Sequence, residues 1–185
     1  MNELRNTNFY HRYYDKIRLM FMDESLFGRI TNIKSCWCPR GVRPIVSSLK
    51  IREYVYAYGA VDPIDGNSCF IVAGGCNTAW TNLFLTELSK RFPNDYILLP
   101  QDNASWHKSK SIVVPDNIEL FYIPPATPEM NPCEQIWEEL KEKYFDNRFF
   151  RTLNKVVDQL CFSINDLEPE IVMSITGRDW ILSTV

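Results

Sequence analysis

The hydrophobic period of this chain changes once, near Thr78, and that change restricts it to a mixed α/β fold. Before Thr78 the pattern is strand-like. Ile17–Met22 is a compact apolar run that ends in Asp23-Glu24-Ser25, and Phe27–Cys38 reads as a second strand stopped by Pro39-Arg40-Gly41. Glu53–Val61 is rich in aromatic and β-branched residues, and Pro63–Gly66 makes a turn after it. Phe70–Ala73 then pairs back, which gives three antiparallel strands on short connections.

After Thr78 helices and strands alternate. Leu83, Phe84, Leu85 and Leu88 fit an amphipathic helix from Thr78 to Arg91, halted by Pro93-Asn94. Tyr96–Leu99 is a buried strand leading into Pro100-Gln101-Asp102-Asn103, followed by a short helix around Trp106–Ser111. Ile118–Ile123 is another strand. A long helix from Asn131 runs through Ile136, Trp137, Leu140 and Tyr144, with two further helical pieces at about 154–163 and 168–175. The expected fold is α/β: three antiparallel strands, then alternating helices and parallel strands in one mixed sheet, with flanking helices. The expected organisation is an N-terminal extension over 1–16, one α/β domain over 17–150, and a helical region over 151–185 packed on it.

Charged residues at 23% and hydrophobic residues at 45% exclude a disordered chain. The net charge of −3 argues against a free-standing, tightly DNA-binding module, but leaves room for a local basic path. No apolar run approaches the roughly 18 residues of a membrane span. Asn2–Asn6 opens no secretory signal. Cys36, Cys38, Cys69, Cys76, Cys133 and Cys161 form no zinc framework, although Cys36 and Cys38 would share a face on a strand. Reduced, mainly buried thiols in a cytoplasmic, nucleoid-associated protein are the expectation.

The chemistry concentrates in Asp23, Asp102 and Glu134, each where an element ends or begins. If the strands before Asp23 and Asp102 are neighbours, the two carboxylates lie side by side and Glu134 can face both. Clustered carboxylates must protonate or bind cations, and Mg²⁺ suits oxygen ligands with positions left open for phosphate. Each residue also has a plainer role. Asp23 can close a turn, Asp102-Asn103 can form an Asx turn, and Asn131 with Glu134 three residues later has capping-box spacing, Pro132 taking the first helical position. From the residues alone both readings stand.

Four motifs in order carry a family resemblance. Phe21-Met22-Asp23-Glu24-Ser25 is similar to a first D-E-S motif, and Trp37-Cys38-Pro39-Arg40-Gly41-Val42-Arg43-Pro44 resembles W-x-P-x-G-x-R-P. Gln101–Ser109 resembles D-N-A-x-x-H-x-S, and Pro124–Trp137 resembles P-P-x-S-P-x-L-N-P-I-E-x-x-W. Together they resemble bacterial insertion-sequence transposases of the Tc/mariner-related Asp-Asp-Glu (DDE) superfamily. Thr127, Met130 and Cys133 are mild departures, and the 134 − 102 = 32 positions between Asp102 and Glu134 are slightly short for it.

The resemblance implies an RNase H-like domain in which Asp23, Asp102 and Glu134 hold two Mg²⁺ ions, with Mn²⁺ as a substitute. The implied activity is phosphodiester hydrolysis at transposon ends and strand transfer into target DNA. It further implies that end recognition belongs to a helix-turn-helix region not seen before Asp23, supplied by a separate polypeptide or lost. The alternative is a silent remnant that binds a full-length transposase. Two DNA ends held together call for a homodimer.

Around this triad, Asn103 is expected to orient Asp102, and Asn131 to cap the Glu134 helix. Lys34, Arg40, Arg43, Lys50 and Arg52 form a basic stretch without acidic residues, a candidate DNA-backbone surface. His107, Lys108 and Lys110 are added to the DNA-contact set. Tyr54, Tyr56 and Tyr58 alternate along one sheet face, and Trp137 reads as core.

Overall fold

The computed structural model describes residues 14–125 and 127–183. The opening stretch assigned to the N-terminal extension lies, up to residue 13, outside the described residues. The sheet is built on one extended run. β1 (Lys16–Leu19) and β2 (Phe21–Gly28) are its two halves, divided only at Met20. β1 pairs in parallel with β5 (Asp95–Gln101), which pairs in parallel with β6 (Ile118–Tyr122). β2 pairs antiparallel with β3 (Tyr54–Val61), and β3 with β4 (Ser68–Ala73). The Met20 N–H donates to the Leu98 carbonyl at 3.0 Å, carrying the β5 pairing up to the point where β2 begins. The spatial order is therefore β4, β3, the β2/β1 run, β5, β6.

Side chains alternate across this sheet and feed two cores. Met20, Met22, Tyr58, Ile97 and Leu99 pack with Phe84, Leu85 and Leu88 of α1 (Thr78–Arg91). On the other face Phe21, Phe27, Val55 and Ala57 meet Ile136, Trp137 and Leu140 of α2 (Cys133–Tyr144). Val156 and Leu160 of α3 (Leu153–Asn165) join the same core, as do Val172 of α4 (Pro169–Thr176) and Ile181 of α5 (Asp179–Leu182).

Two expected elements are absent. Of Phe27–Cys38 only Phe27 and Gly28 are strand, and they complete β2. Beyond them the backbone pairs at Arg29 with Glu53 and Thr31 with Leu49, both at 3.0 Å, and the Asn32 carbonyl accepts from Asn147 at 2.8 Å, but no ladder forms. Residues 30–52 form an exposed arm: Trp37 is 104% exposed and Ile45 96%. Apolar alternation there finds no ladder and no core, so it makes no strand. The helix around Trp106–Ser111 is instead a series of turns, His107 to Ala104 and Ile112 to Ser109. Asp102 Oδ1 and Ser109 Oγ accept backbone N–H groups two residues on, and such local bonds compete with a helix.

At the end of the sheet where β1 and β5 start, Arg18 is 7% exposed and bonds Asp62 at 2.9 Å, Asp65 at 2.6 Å and Asp95 at 2.8 Å. The opposite end, where the parallel strands finish, is left for Asp102.

Gly59 sets the distance between sheet and α2. A Cβ there would sit 2.6 Å from the Phe70 ring and 2.7 Å from Trp137. Gly59→Ala is expected to destabilise by about 1–3 kcal/mol, read as a lower urea midpoint. An unchanged midpoint would show that Trp137 moves aside freely.

Candidate active site

β2, β5 and α2 bring the three predicted carboxylates together. Asp23 is not at a strand end, as expected, but the third residue of β2, opposite Gly59 in β3. It can sit there because Gly59 has no side chain and Trp137 fills the space above it. The Trp137 indole N–H donates to Asp23 Oδ2 at 2.9 Å. Asp102 follows the last residue of β5, and Glu134 lies in the first turn of α2.

The start of α2 is tied to β2 by Asn131. The cap position itself is held by Pro132, without a side-chain cap bond, so Asn131 is not the cap the sequence suggested. The Asn131 Oδ1 accepts the Cys133 N–H at 3.2 Å and its Nδ2 donates to the Met22 carbonyl at 2.9 Å. Asn131 thus places Glu134 beside Asp23. Glu134 lines two clefts, one of about 350 Å³ with Asp102 and Asn131, the other of about 220 Å³ with Asp23, Glu138 and Lys141.

The electrostatics of the site follow from this crowding. Burial, then repulsion from Glu24, Glu134 and Asp102, pushes the Asp23 carboxyl up to about 7. Burial, Glu138 and Asp102 also raise Glu134. A displacement of the Asp23 size is worth roughly 4 kcal/mol between protonation states. A divalent cation among these oxygens would remove that cost, so the donor set fits a hard metal ion held by carboxylates.

Asp102 differs. A hydrogen bond from His107, outweighing burial, holds its carboxyl below the usual range. His107 Nδ1 lies 2.8 Å from Asp102 Oδ1 and Nε2 lies 2.8 Å from Glu24 Oε1. Burial opposes charge on the ring, but these two carboxylates prevail and raise it to about 9. His107 is 1% exposed. It therefore leaves the DNA-contact set: a ring buried between two carboxylates cannot reach a phosphate. Asn103 also departs from expectation. Its Nδ2 donates to the Ile123 carbonyl beyond β6, not to Asp102.

The chain matches the family described as DDE superfamily endonucleases over residues 18–157. It belongs to that family. It is 33% identical, over 130 residues covering 69% of this chain and 96% of the relative, to the Uncharacterized protein y4pE/y4sA of Sinorhizobium fredii (strain NBRC 101917 / NGR234). It is similar in structure to the Mos1 Strand Transfer Complex, with a TM-score of 0.63 and 15% identity over 94% of this chain and 52% of that one. The Mos1 mariner paired end complex with Mn gives 0.62 and 16% over 95% and 59%. The chain thus spans little more than half of those structures, and the likeness is one of fold: the DDE endonuclease is RNase H-like, as its motifs implied.

Three site residues of this DDE endonuclease escaped the sequence reading. Trp137, taken as core, is buried but also bonds Asp23. Glu24 was visible only as part of a motif. Lys141 falls seven residues after Glu134, two helical turns on along the same side, and lines the Asp23 cleft. Burial lowers its ammonium, against the pull of Asp23, Asp146 and Glu138. The basic residues Lys34, Arg40, Arg43, Lys50 and Arg52 are all exposed on the arm, and Lys108 and Lys110 on the turns after Asp102. No cysteine joins a cluster of metal-ligating groups among the described residues. Cys69 and Cys133 are buried as expected, whereas Cys36, Cys38 and Cys161 are exposed.

The raised Asp23 carboxyl has a stability consequence. Its folded value, about 7, lies above the ordinary 3.8, so protonation favours the native state at low pH and that gain is lost as pH rises through 7. In metal-free buffer Asp23→Asn is expected to raise Tm by several degrees at pH 8, with the gain shrinking between pH 7 and 4. A gain that does not depend on pH would refute this.

Proposed function

We propose that this chain is the catalytic domain of a DNA transposase, in which Asp23, Asp102 and Glu134 hold two Mg²⁺ ions, or Mn²⁺ in their place. The reading is carried by the three mutually repelling carboxylates that β2, β5 and α2 bring together. The similar Mos1 structures, a strand transfer complex and a paired end complex with Mn, support it. Bound divalent ions would supply Lewis acidity at the scissile phosphate and lower the cost of the attacking and leaving oxygens.

The protein's own groups do the positioning. Trp137 orients Asp23, Asn131 sets Glu134 against β2, and Lys141 offers a cation at the edge of the same cleft for a phosphate oxygen. Asn103, bonded to Ile123, shapes the cleft wall beside Asp102. The reaction class is phosphodiester hydrolysis at transposon ends and strand transfer by a DNA 3′-hydroxyl, with recognition of the ends assigned to a helix-turn-helix region outside this catalytic unit. The unit is assigned to 17–150, with 151–185 as a helical region packed on it and a homodimer as the form that acts on DNA.

The arm is the proposed backbone-contact surface. Lys34, Arg40, Arg43, Lys50 and Arg52 are exposed and make no ion pair among the described residues, and Lys108 and Lys110 extend the basic surface past Asp102.

Nicking of supercoiled DNA, and joining of a duplex with a free 3′-hydroxyl, in Mg²⁺ or Mn²⁺ tests the activity. The native chain is expected to nick, and Asp102→Ala to fall by a hundred-fold or more. Equal nicking by both would end the assignment of Asp102. No nicking by the native chain, even with a helix-turn-helix polypeptide added, would favour a silent binding module. Replacing the five arm cations with alanine is expected to weaken duplex binding and flatten its salt dependence, the slope falling by roughly 0.9 for each phosphate no longer neutralised. An unchanged slope would take DNA off the arm.

A further inference from the structure

Asp23 and Glu24 are consecutive in β2, so their side chains leave the sheet on opposite faces. Asp23 turns toward α2 and the cleft. Glu24 turns the other way, and its side chain is 5% exposed. Its Oε1 accepts from Trp106 Nε1 at 3.2 Å and faces His107 Nε2 at 2.8 Å. The other ring nitrogen faces Asp102 Oδ1 at 2.8 Å. His107 is held in place besides: its N–H donates to the Ala104 carbonyl at 3.0 Å, and the Tyr122 hydroxyl donates to its carbonyl at 2.9 Å.

Asp102 needs such support. It lies past the end of β5, outside any ladder, and its side chain is 55% exposed. The Ala104 N–H reaches Oδ1 at 2.9 Å, the same oxygen that meets His107. Both anchors fall on Oδ1, and no hydrogen bond ties Oδ2 among the described residues.

We propose that Glu24 and His107 are positioning residues: they form a strut from β2 that grips Asp102 by Oδ1 and presents Oδ2 to the divalent cation. The proposal rests on Asp102 being a metal ligand. Carboxylates that bind metal are held by hydrogen bonds behind them, and here a strand residue braces a loop residue across the sheet. The ligand atoms of Glu24, Asp102 and His107 lie within 4.8 Å of one another, which would also suit an ion. The ring, however, already occupies the space between the two carboxylates with a nitrogen against each, so an ion there would have to displace it.

Two substitutions separate the strut from general packing. In His107→Asn the amide nitrogen stands near the position of Nδ1 and keeps the Asp102 contact. In His107→Gln it reaches toward Glu24 and gives up Asp102. Both remove the same ring. Metal binding is read directly with Tb³⁺, whose luminescence is excited through tryptophan such as Trp137 beside Asp23, and thermal unfolding of each variant is followed in parallel. The expected result is Tb³⁺ affinity a few-fold weaker than native for His107→Asn, which gives up the Glu24 end, and ten- to a hundred-fold weaker for His107→Gln, which gives up the Asp102 end, at similar Tm. Glu24→Gln, which keeps an oxygen acceptor for His107, is expected to stay near native, and Glu24→Ala to fall with His107→Asn; native affinity in Glu24→Ala would remove Glu24 from the strut.

Equal affinities for the two His107 variants would overturn the strut, as would loss of one bound ion per chain in both, which would make His107 a ligand. Asp102→Ala is measured alongside. If it leaves Tb³⁺ binding intact, the assignment of Asp102 as ligand fails and the strut with it. If it abolishes binding while the His107 variants match each other, only the strut fails.

Discussion

Residues 16–28 are one extended run whose two edges are hydrogen-bonded to different partners. Its first half pairs in parallel with β5, and its second half antiparallel with β3. Because the run serves both ladders, everything placed on it is located relative to both. Asp23 is set opposite Gly59 by one ladder and brought near the end of β5, and so Asp102, by the other. A slip of one residue would turn Asp23 and Glu24 to each other's faces and exchange their partners.

Holding carboxylates in such a place is costly, and the neighbouring side chains share the cost unequally. Asp102 has the His107 ring against it, and that hydrogen bond holds its carboxyl below the usual range. Asp23 has only the Trp137 indole N–H and is surrounded by Glu24, Glu134 and Asp102, so its carboxyl holds its proton up to about neutrality. Without a cation the centre is an electrostatic strain that the two cores sustain. The same unfavourable charge that weakens the metal-free protein is what would draw a divalent ion in, and Asp23 is the oxygen donor with most to gain.

The sequence announced the regular parts and the acidic residues well. The helix from Thr78 to Arg91 has the bounds its periodicity predicted, because an Asn77 cap and Pro93 punctuate it locally. The adjacency of β1 and β5, which the sequence left as a condition, is met by a parallel pairing that a helical crossover permits. Errors came where local pattern met no partner. Phe27–Cys38 alternates like a strand, yet lies in an arm with Trp37 and Ile45 in solvent, and pairing is not a local property. Trp106–Ser111 looked helical, but Asp102 captures the Ala104 N–H just before it and Ser109 the Ser111 N–H within it.

By itself the sequence determined the α/β class and the family, and it singled out the three carboxylates. All of these reside in short patterns, which hydrogen bonding and turn chemistry enforce within a few residues. Only the tertiary structure decided what surrounds the carboxylates. Trp137 reaches Asp23 across 114 positions of sequence, and His107 joins Glu24 across 83. Such contacts depend on the sheet register and on a glycine that lets a helix approach, and no spacing along the chain encodes either. That is why His107 read as a DNA contact and proved a buried ring between two carboxylates, and why Asn103 read as a partner of Asp102 and proved a tether to Ile123.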